Sequence, residues 1–109
     1  MKQYELWWAT FPPSIGRRPV LLLSRTPAYE YLTHVLVAEI TTRVRGIPQE
    51  VPLRTREGLT PPCVANLDRV QLVSKSALTG KLGELAPSRV VEVKRALGYA
   101  LDLPELKAL

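Results

Sequence analysis

Two adjacent arginines, Arg17 and Arg18, are the side chains best placed to do chemistry in this sequence. They lie between a glycine and Pro19, and the apolar run 20–23 follows directly. A proline at the start of a strand holds the preceding residue extended, so Arg18 is predicted to be a fixed charge at the mouth of a buried strand. A guanidinium can donate two parallel hydrogen bonds to two oxygens of one phosphate. The two residues therefore form either a phosphate-facing site or a pair of solvated loop arginines.

A second set of polar side chains falls on the longest predicted strand, over residues 33–42. Side chains alternate along a strand, so Glu39 and Thr41 share one face with two valines. Two polar residues at the far end of an otherwise apolar face indicate that this end opens onto solvent or a ligand.

Further cations are concentrated in two turns that flank a short predicted strand at 50–53. Together they could rim a groove that follows a nucleic-acid backbone, although solvated turns explain any one of them. The four turn arginines are Arg43, Arg45, Arg54 and Arg56, and the additional candidates are Arg69 and Lys75.

The charge balance favours an anionic partner. The chain of 109 residues carries 15 Lys and Arg against 10 Asp and Glu, a net charge of +5, and arginines outnumber lysines ten to five. Arginine stacks on bases and matches the geometry of phosphate, which favours nucleic acid, although a GC-rich genome would produce the same bias.

The same composition excludes several classes of protein. No apolar run approaches the roughly 18 residues that span a bilayer, and residues 1–5 lack the apolar core of a signal peptide. One cysteine and one histidine make neither an intramolecular disulfide nor the usual zinc ligand set. We therefore expect a cytoplasmic protein without a metal or other cofactor, in which His34 is a partly buried structural residue and Cys63 a small apolar strand residue.

The elements that position these residues are predicted to be mostly short strands. An aromatic first strand at 4–9 sends one of Trp7 and Trp8 to the core. Apolar residues at helical spacing predict one amphipathic helix at the end of the chain. Many strands before a single helix indicate one mostly β domain, residues 1–109, built as a small, strongly bent barrel with one covering helix. The other predicted strands are 19–25, 33–42, 50–53, 63–67, 68–73 and 81–85, with helical turns at 28–31 and 74–78 and the helix at 87–101.

In this order the segments resemble the MazF/PemK toxin family of bacterial toxin–antitoxin pairs over nearly the whole chain. The family's Arg-Pro-Val strand is similar to residues 16–21, and its strand ending in Ile-Thr is similar to residues 37–41. The family's next segment, which contains a Pro-x-Glu-Val motif, is similar to residues 47–53. The aromatic strand at 5–8, Asp68, the segment 73–78 and the closing helix keep the family's order.

The resemblance implies an SH3-like barrel of the CcdB/MazF type and a homodimer. It also implies a toxin that acts as a metal-independent endoribonuclease on single-stranded RNA through attack of the 2′-OH, and a cognate antitoxin whose acidic tail fills the RNA groove. Arg18 and Thr41 match the family's catalytic arginine and threonine, and Arg17 falls where relatives place another basic residue or a histidine. Glu39 is then either a general base, in place of a loop glutamate that some relatives carry, or a charge partner of the two arginines.

Two other functions stay open on the sequence. One is a non-enzymatic toxin of the same fold, of the CcdB type, that poisons DNA gyrase by binding it. The other is a catalytically inactive RNA-binding module, because the loop before Gly16 is short and carries Pro13 or Ser14 where some relatives carry a glutamate. A fixed arginine beside a hydroxyl favours the ribonuclease, since binding a protein does not require that pair.

Overall fold

One antiparallel sheet of six strands forms the body of the protein, whose computed structural model describes residues 1–109. Its strands lie in the order β4-β5-β3-β2-β1-β6, so the first and last strands are neighbours. The strands are β1 Glu5–Thr10, β2 Arg17–Leu22, β3 His34–Thr41, β4 Glu50–Leu53, β5 Cys63–Ser74 and β6 Leu78–Glu84.

Three α-helices accompany the sheet, and the longest packs against it. This helix, α2 (Val90–Leu101), buries Val93 and Ala96 on its inner side. The other two are single turns, α1 (Ala28–Tyr31) and α3 (Pro104–Lys107). One-turn 3-10 helices lie at Thr55–Glu57, Lys75–Ala77 and Pro87–Arg89. The mostly β fold with a C-terminal helix is therefore confirmed.

The apolar run after Pro19 forms the buried centre of the sheet. Val20, Leu21 and Leu22 are all fully buried, as a strand covered on both faces requires. Leu21 joins a core of 13 buried residues that includes Val93 of α2, whereas Val20 and Leu22 join a second core of eight on the opposite face. The central strand is thereby fixed from both sides, and its N-terminal end is held in place.

Two glycines let the ends of the curled sheet meet. Gly58, with φ +92°, follows the turn after β4, and Gly83 lies in β6. A Cβ on Gly58 would stand 2.2 Å from the carbonyl oxygen of Leu82, and one on Gly83 would stand 2.3 Å from that of Glu57. The sheet is therefore a half-barrel that closes through direct backbone contact at this point.

Several predicted boundaries were wrong, each for a local reason. β2 begins at Arg17 and not at Pro19, because Arg17 and Arg18 pair with the end of β1. The ladder with β3 starts only at Val20, one residue past the proline that lacks an N–H.

The predicted strands 63–67 and 68–73 are one strand, β5, interrupted by a bulge. The register with β3 jumps from Ala38↔Val70 to Glu39↔Asn66, which leaves residues 67–69 without partners on β3. β6 begins at Leu78, earlier than the predicted 81, because Leu78 and Gly80 pair with Ala9 and Trp8 of β1. The predicted helix at 87–101 opens with a 3-10 turn, and α3 was not predicted.

Candidate active site

Arg18, Glu39 and Thr41 project from the same face at the same end of two neighbouring strands. Val20 of β2 pairs with Glu39 of β3, so these two residues share a face. Arg18 precedes Val20 by two residues, and Thr41 follows Glu39 by two, which keeps all four on that face. The predicted grouping of Glu39 with Thr41 is confirmed, and Arg18 joins them.

All three side chains line a large open cavity of about 730 Å³ at this end of the sheet. Its polar lining also includes Arg69 and Gln71, and much of the remaining wall is apolar. The apolar part comes from β1, the loop after it, the segment after Gly58, and β6: Trp8, Phe11, Ile15, Leu59 and Leu82.

A second, smaller cavity of about 210 Å³ continues from the first. We call it the arginine cavity, because three of its six lining residues are Arg43, Arg45 and Arg69 and none is apolar. Glu39, Thr41 and Arg69 line both cavities, so two of the three predicted catalytic residues lie where the cavities meet, and the third, Arg18, lines the large cavity. The two cavities together are called the groove.

The bulge in β5 explains why Arg69 reaches the groove. Asn66 folds its side chain back and accepts the N–H of Asp68 at 2.9 Å, which stabilises the extra residues. Bulges redirect side chains and are frequent beside functional sites. Arg69 lies inside this bulge, which places it on the wall shared by the two cavities.

Hydrogen bonds within the groove fix two of the three central side chains. Gln71 donates from Nε2 to Oε2 of Glu39 at 3.2 Å, and the backbone N–H of Arg43 donates to Oγ1 of Thr41 at 3.0 Å. None of the five ion pairs in the structure includes Glu39. The carboxylate is thus oriented by a neutral amide, and the alternative of a charge partner for Arg17 or Arg18 finds no support.

Arg17 makes a contact that the sequence did not indicate. Its guanidinium carbon lies 4.2 Å from the centroid of the Trp8 ring, a cation–π stack at the edge of the large cavity. Trp8 is therefore a candidate ligand-contacting residue that sequence reasoning left unassigned between core and surface. The contact depends on the hairpin register, which pairs Trp8 with Pro19 next to the arginines, and the sequence alone gives no signal of that register.

Other predicted contact residues lie outside the groove. Arg54 and Arg56 are exposed on the turn after β4 but line neither cavity. Lys75 donates from Nζ to the carbonyl oxygen of Tyr29 at 2.7 Å, so this side chain connects the end of β5 to α1. The structure does not bring these three cations to the predicted catalytic residues.

The two residues predicted to be structural behave differently from each other. Cys63 lies in β5, as predicted, and is buried in the larger core, where burial together with the charge of Glu57 raises the pKa of its thiol. His34 is exposed and contacts the neighbouring Thr33 hydroxyl, so the prediction of partial burial was wrong. It begins β3, at the opposite end from Thr41, on the face that it shares with the exposed Leu36 and that the larger core does not cover at this end.

Donor groups for a metal are not gathered anywhere in the structure. Three or more His, Cys, Asp or Glu side chains do not come together at any point. The helices are also all too short to cross a membrane.

A curved antiparallel sheet with one covering helix and an arginine-lined groove at its open end defines a MazF-type half-barrel. The family described as PemK-like, MazF-like toxin of type II toxin-antitoxin system matches residues 2–101. The chain belongs to this family.

Relatives with similar sequences and structures come from mycobacteria. The chain is 42% identical over 99 residues to the probable endoribonuclease MazF5 of Mycobacterium tuberculosis, with 90% of each chain covered. The solved structure of M. tuberculosis toxin MazF-mt6 superposes with a TM-score of 0.85 and 36% identity, over 91% of this chain and 97% of that one. A mycobacterial endoribonuclease solved with its cognate antitoxin gives a TM-score of 0.81 and 26% identity, over 95% and 97%.

Proposed function

We propose that this protein is the toxin of a toxin–antitoxin pair and acts as an endoribonuclease on single-stranded RNA. The observation that carries the proposal is that the Arg18 guanidinium, the Thr41 hydroxyl and the Glu39 carboxylate line the same large cavity, and that Thr41 and Glu39 also line the arginine cavity. The relatives named as endoribonucleases support the same activity.

The proposed reaction uses the nucleophile that RNA itself carries. The 2′-oxygen forms a new bond to phosphorus while the bond from phosphorus to the 5′-oxygen breaks, which leaves a 2′,3′-cyclic phosphate and a 5′-hydroxyl. Glu39 takes the proton from the 2′-OH as general base, and the departing 5′-oxygen takes a proton from solvent. Arg18 and Thr41 stabilise the charge that develops on the phosphorane oxygens.

The shape of the groove suits a single strand. The arginine cavity offers Arg43, Arg45 and Arg69 to successive phosphates, which is the electrostatic part of binding. The large cavity is wide and partly apolar, and Trp8 lies on its wall, so it suits unstacked nucleobases. A duplex keeps its bases stacked and would leave this wall without a contact.

No step in this chemistry needs a metal ion. The charges that stabilise the transition state come from arginine, and the proton acceptor is a carboxylate already oriented by Gln71. We therefore propose metal-independent cleavage and no cofactor.

The partners follow from the same groove. A cationic, partly apolar groove suits an acidic segment of a cognate antitoxin as well as RNA, and a mycobacterial relative was solved in complex with its cognate antitoxin. We also propose that the chain is a single toxin domain over residues 1–109, that it forms a homodimer, and that it works in the cytoplasm.

The proposal is tested by incubating the purified protein with bulk RNA in EDTA and identifying the new ends. The expected products carry a 5′-hydroxyl, which a polynucleotide kinase labels without prior phosphatase treatment. A substrate with a single 2′-deoxy nucleotide at the cleaved position should bind and remain intact. The Arg18→Ala variant, purified in parallel, controls for contaminating ribonucleases.

Three results would contradict the proposal. Cleavage that appears only when Mg²⁺ or Mn²⁺ is restored would show that the chemistry is different. RNA binding without cleavage would indicate the inactive RNA-binding module. Intact RNA together with inhibited gyrase supercoiling would indicate a toxin that acts by binding gyrase.

A further inference from the structure

The loop between β3 and β4, residues 42–49, carries two of the three arginines of the arginine cavity. Arg43 and Arg45 line that cavity, and both are exposed. Neither arginine makes an ion pair with a carboxylate. The loop contains no helix or strand, so something other than a backbone ladder must hold these two charges in place.

The first residue of β4 supplies that support. Oε1 of Glu50 accepts the backbone N–H of Gly46 at 2.8 Å and that of Arg45 at 3.1 Å, and the N–H of Ile47 lies at 3.4 Å. Oε2 accepts the N–H of Arg45 at 3.0 Å. One carboxylate thus accepts hydrogen bonds from three consecutive backbone amides.

The rest of the loop is shaped around this contact. Gly46 has φ +74°, a left-handed conformation, although a Cβ there would meet nothing, so backbone conformation alone favours glycine. At the other end Thr41 accepts the N–H of Arg43. Two side chains therefore hold the loop at both ends of the segment that carries the arginines.

We infer that Glu50 is a positioning residue, which binds the loop backbone so that Arg43 and Arg45 face the RNA phosphates. This inference rests on the proposed function for its ligand, single-stranded RNA. Glu50 neutralises neither arginine, because its oxygens are occupied by amides, and both guanidiniums stay free for phosphate. Glu50 is thus an acidic residue that strengthens the binding of an anion, because it holds the loop that carries the two arginines.

The sign of the mutational effect separates this role from simple electrostatics. Removing a negative charge beside a cationic groove should tighten RNA binding if only charge matters. Removing the support of the loop should weaken binding, because the two arginines lose their fixed geometry.

The experiment measures binding of a 2′-O-methyl oligoribonucleotide, which cannot be cleaved, over a range of salt concentrations. Glu50→Ala should bind about tenfold more weakly, and the slope of log affinity against log salt should fall by about 1 to 2, because each arginine that no longer neutralises a phosphate removes about 1 from it. Glu84→Ala is the matched control, since it removes the same charge from an exposed position on β6. Glu50→Gln should retain part of the affinity, because its amide oxygen still accepts hydrogen bonds.

A double-mutant cycle makes the test specific to the arginines. If Glu50 acts through them, Glu50→Ala should add little to the loss already caused by replacing Arg43 and Arg45 together with alanine. Full additivity would overturn the inference, as would Glu50→Ala binding as tightly as the wild-type protein or more tightly.

Limited trypsin digestion provides a readout that does not depend on RNA. Trypsin cuts after arginine, so cleavage after Arg43 and Arg45 reports the order of the loop, and the exposed Arg54 and Arg56 serve as internal reference sites. Faster cutting in the loop alone is expected in Glu50→Ala, whereas unchanged cutting overturns the inference. If the wild-type protein binds no RNA, the proposed function fails while this digestion still decides the role of Glu50.

Discussion

The hydroxyl of Thr41 accepts the backbone N–H of Arg43 at 3.0 Å. A threonine hydroxyl that accepts a hydrogen bond keeps its own hydrogen available for donation. On the proposed function this hydrogen can be donated to a phosphate oxygen, and we therefore propose Thr41 as a donor to the developing charge. The same bond places the first arginine of the β3–β4 loop, so one side chain links the predicted catalytic residues with the arginine cavity.

Thr41→Val should therefore lower the single-turnover cleavage rate by about 10²-fold, the scale for loss of one transition-state donor. Valine keeps the shape of threonine and the strand propensity, so the melting temperature should change little. Thr41→Ser restores the hydroxyl and should recover most of the rate. Cleavage by the valine variant at the wild-type rate would show that the hydroxyl plays no part.

Arg18→Ala should lower the cleavage rate by about 10²-fold or more and leave the fold intact. The side chain is exposed, while Val20 to Leu22 are fully buried and hold the strand. Arg18→Lys should recover only part of the rate, because an ammonium cannot make the paired contacts of a planar guanidinium. RNA binding should persist in both variants through the arginine cavity. An unfolded Arg18→Ala protein would mean that this arginine is structural.

Trp8 should report RNA binding by its fluorescence. The chain has two tryptophans, so Trp7→Phe leaves Trp8 as the single emitter. Stacking of a base on the indole, in place of or beside the Arg17 guanidinium, should quench its emission as single-stranded RNA is added. A variant that retains only Trp7, made by Trp8→Phe, is the matched control, because Trp7 packs against the second core and donates to Glu5. Equal quenching in both variants would argue against stacking on Trp8.

Gly83→Ala should destabilise the protein by about 1–3 kcal/mol, because a methyl group at this position would overlap the backbone of Glu57. Gly80 lies in the same strand, and a Cβ there would meet only Trp8, at an ordinary 3.9 Å. Gly80→Ala is therefore the matched control, and it should change stability little. Urea unfolding of the two variants compares them directly. Equal effects would show that the contact at Gly83 is not what closes the half-barrel.

Acid should weaken the fold partly through Glu5. Burial by itself would raise the pKa of this carboxyl, but hydrogen bonds from Trp7, Lys81 and the backbone of Lys2 outweigh it and lower the pKa below its ordinary value. A lowered folded-state pKa contributes stability that is present above the unfolded pKa of about 4.3 and is lost as the pH falls through the folded value.

Glu5→Gln should thus be less stable than the wild-type protein at pH 7, and the difference should shrink as the pH falls below about 4. Urea unfolding at a series of pH values measures this, with the exposed Glu84→Gln as the control. A stability difference that stays constant with pH would contradict the role assigned to the Glu5 charge.

The sequence predicted the parts of the fold that depend on local pattern. The apolar run at 20–22 identified the central strand, and alternation placed Glu39 and Thr41 on one face before any pairing was known. The strand at 50–53 was predicted with its observed bounds. These features follow from hydrophobic periodicity and residue propensity alone, and both can be read from a single sequence.

Features that depend on pairing between distant segments were not predictable in the same way. The bulge that turns Arg69 into the groove arises from the register of β5 against β3. The register of two paired strands cannot be deduced from the sequence of either strand by itself. The stack of Arg17 on Trp8 likewise needs the hairpin register. Lys75 was assigned to the groove on charge alone, but the fold carries it to the carbonyl of Tyr29.

The pairing of β1 with β6 has a consequence for protein synthesis. β1 is made first, yet β6 ends only at Glu84, and Leu82 of β6 forms part of the wall of the large cavity. Contacts between segments so far apart in the chain must wait for the later one to appear. A nascent chain still missing β6 therefore has no complete groove, although every arginine of the site has already been translated. On the proposed function, a nascent chain can therefore cleave RNA only after β6 has been translated.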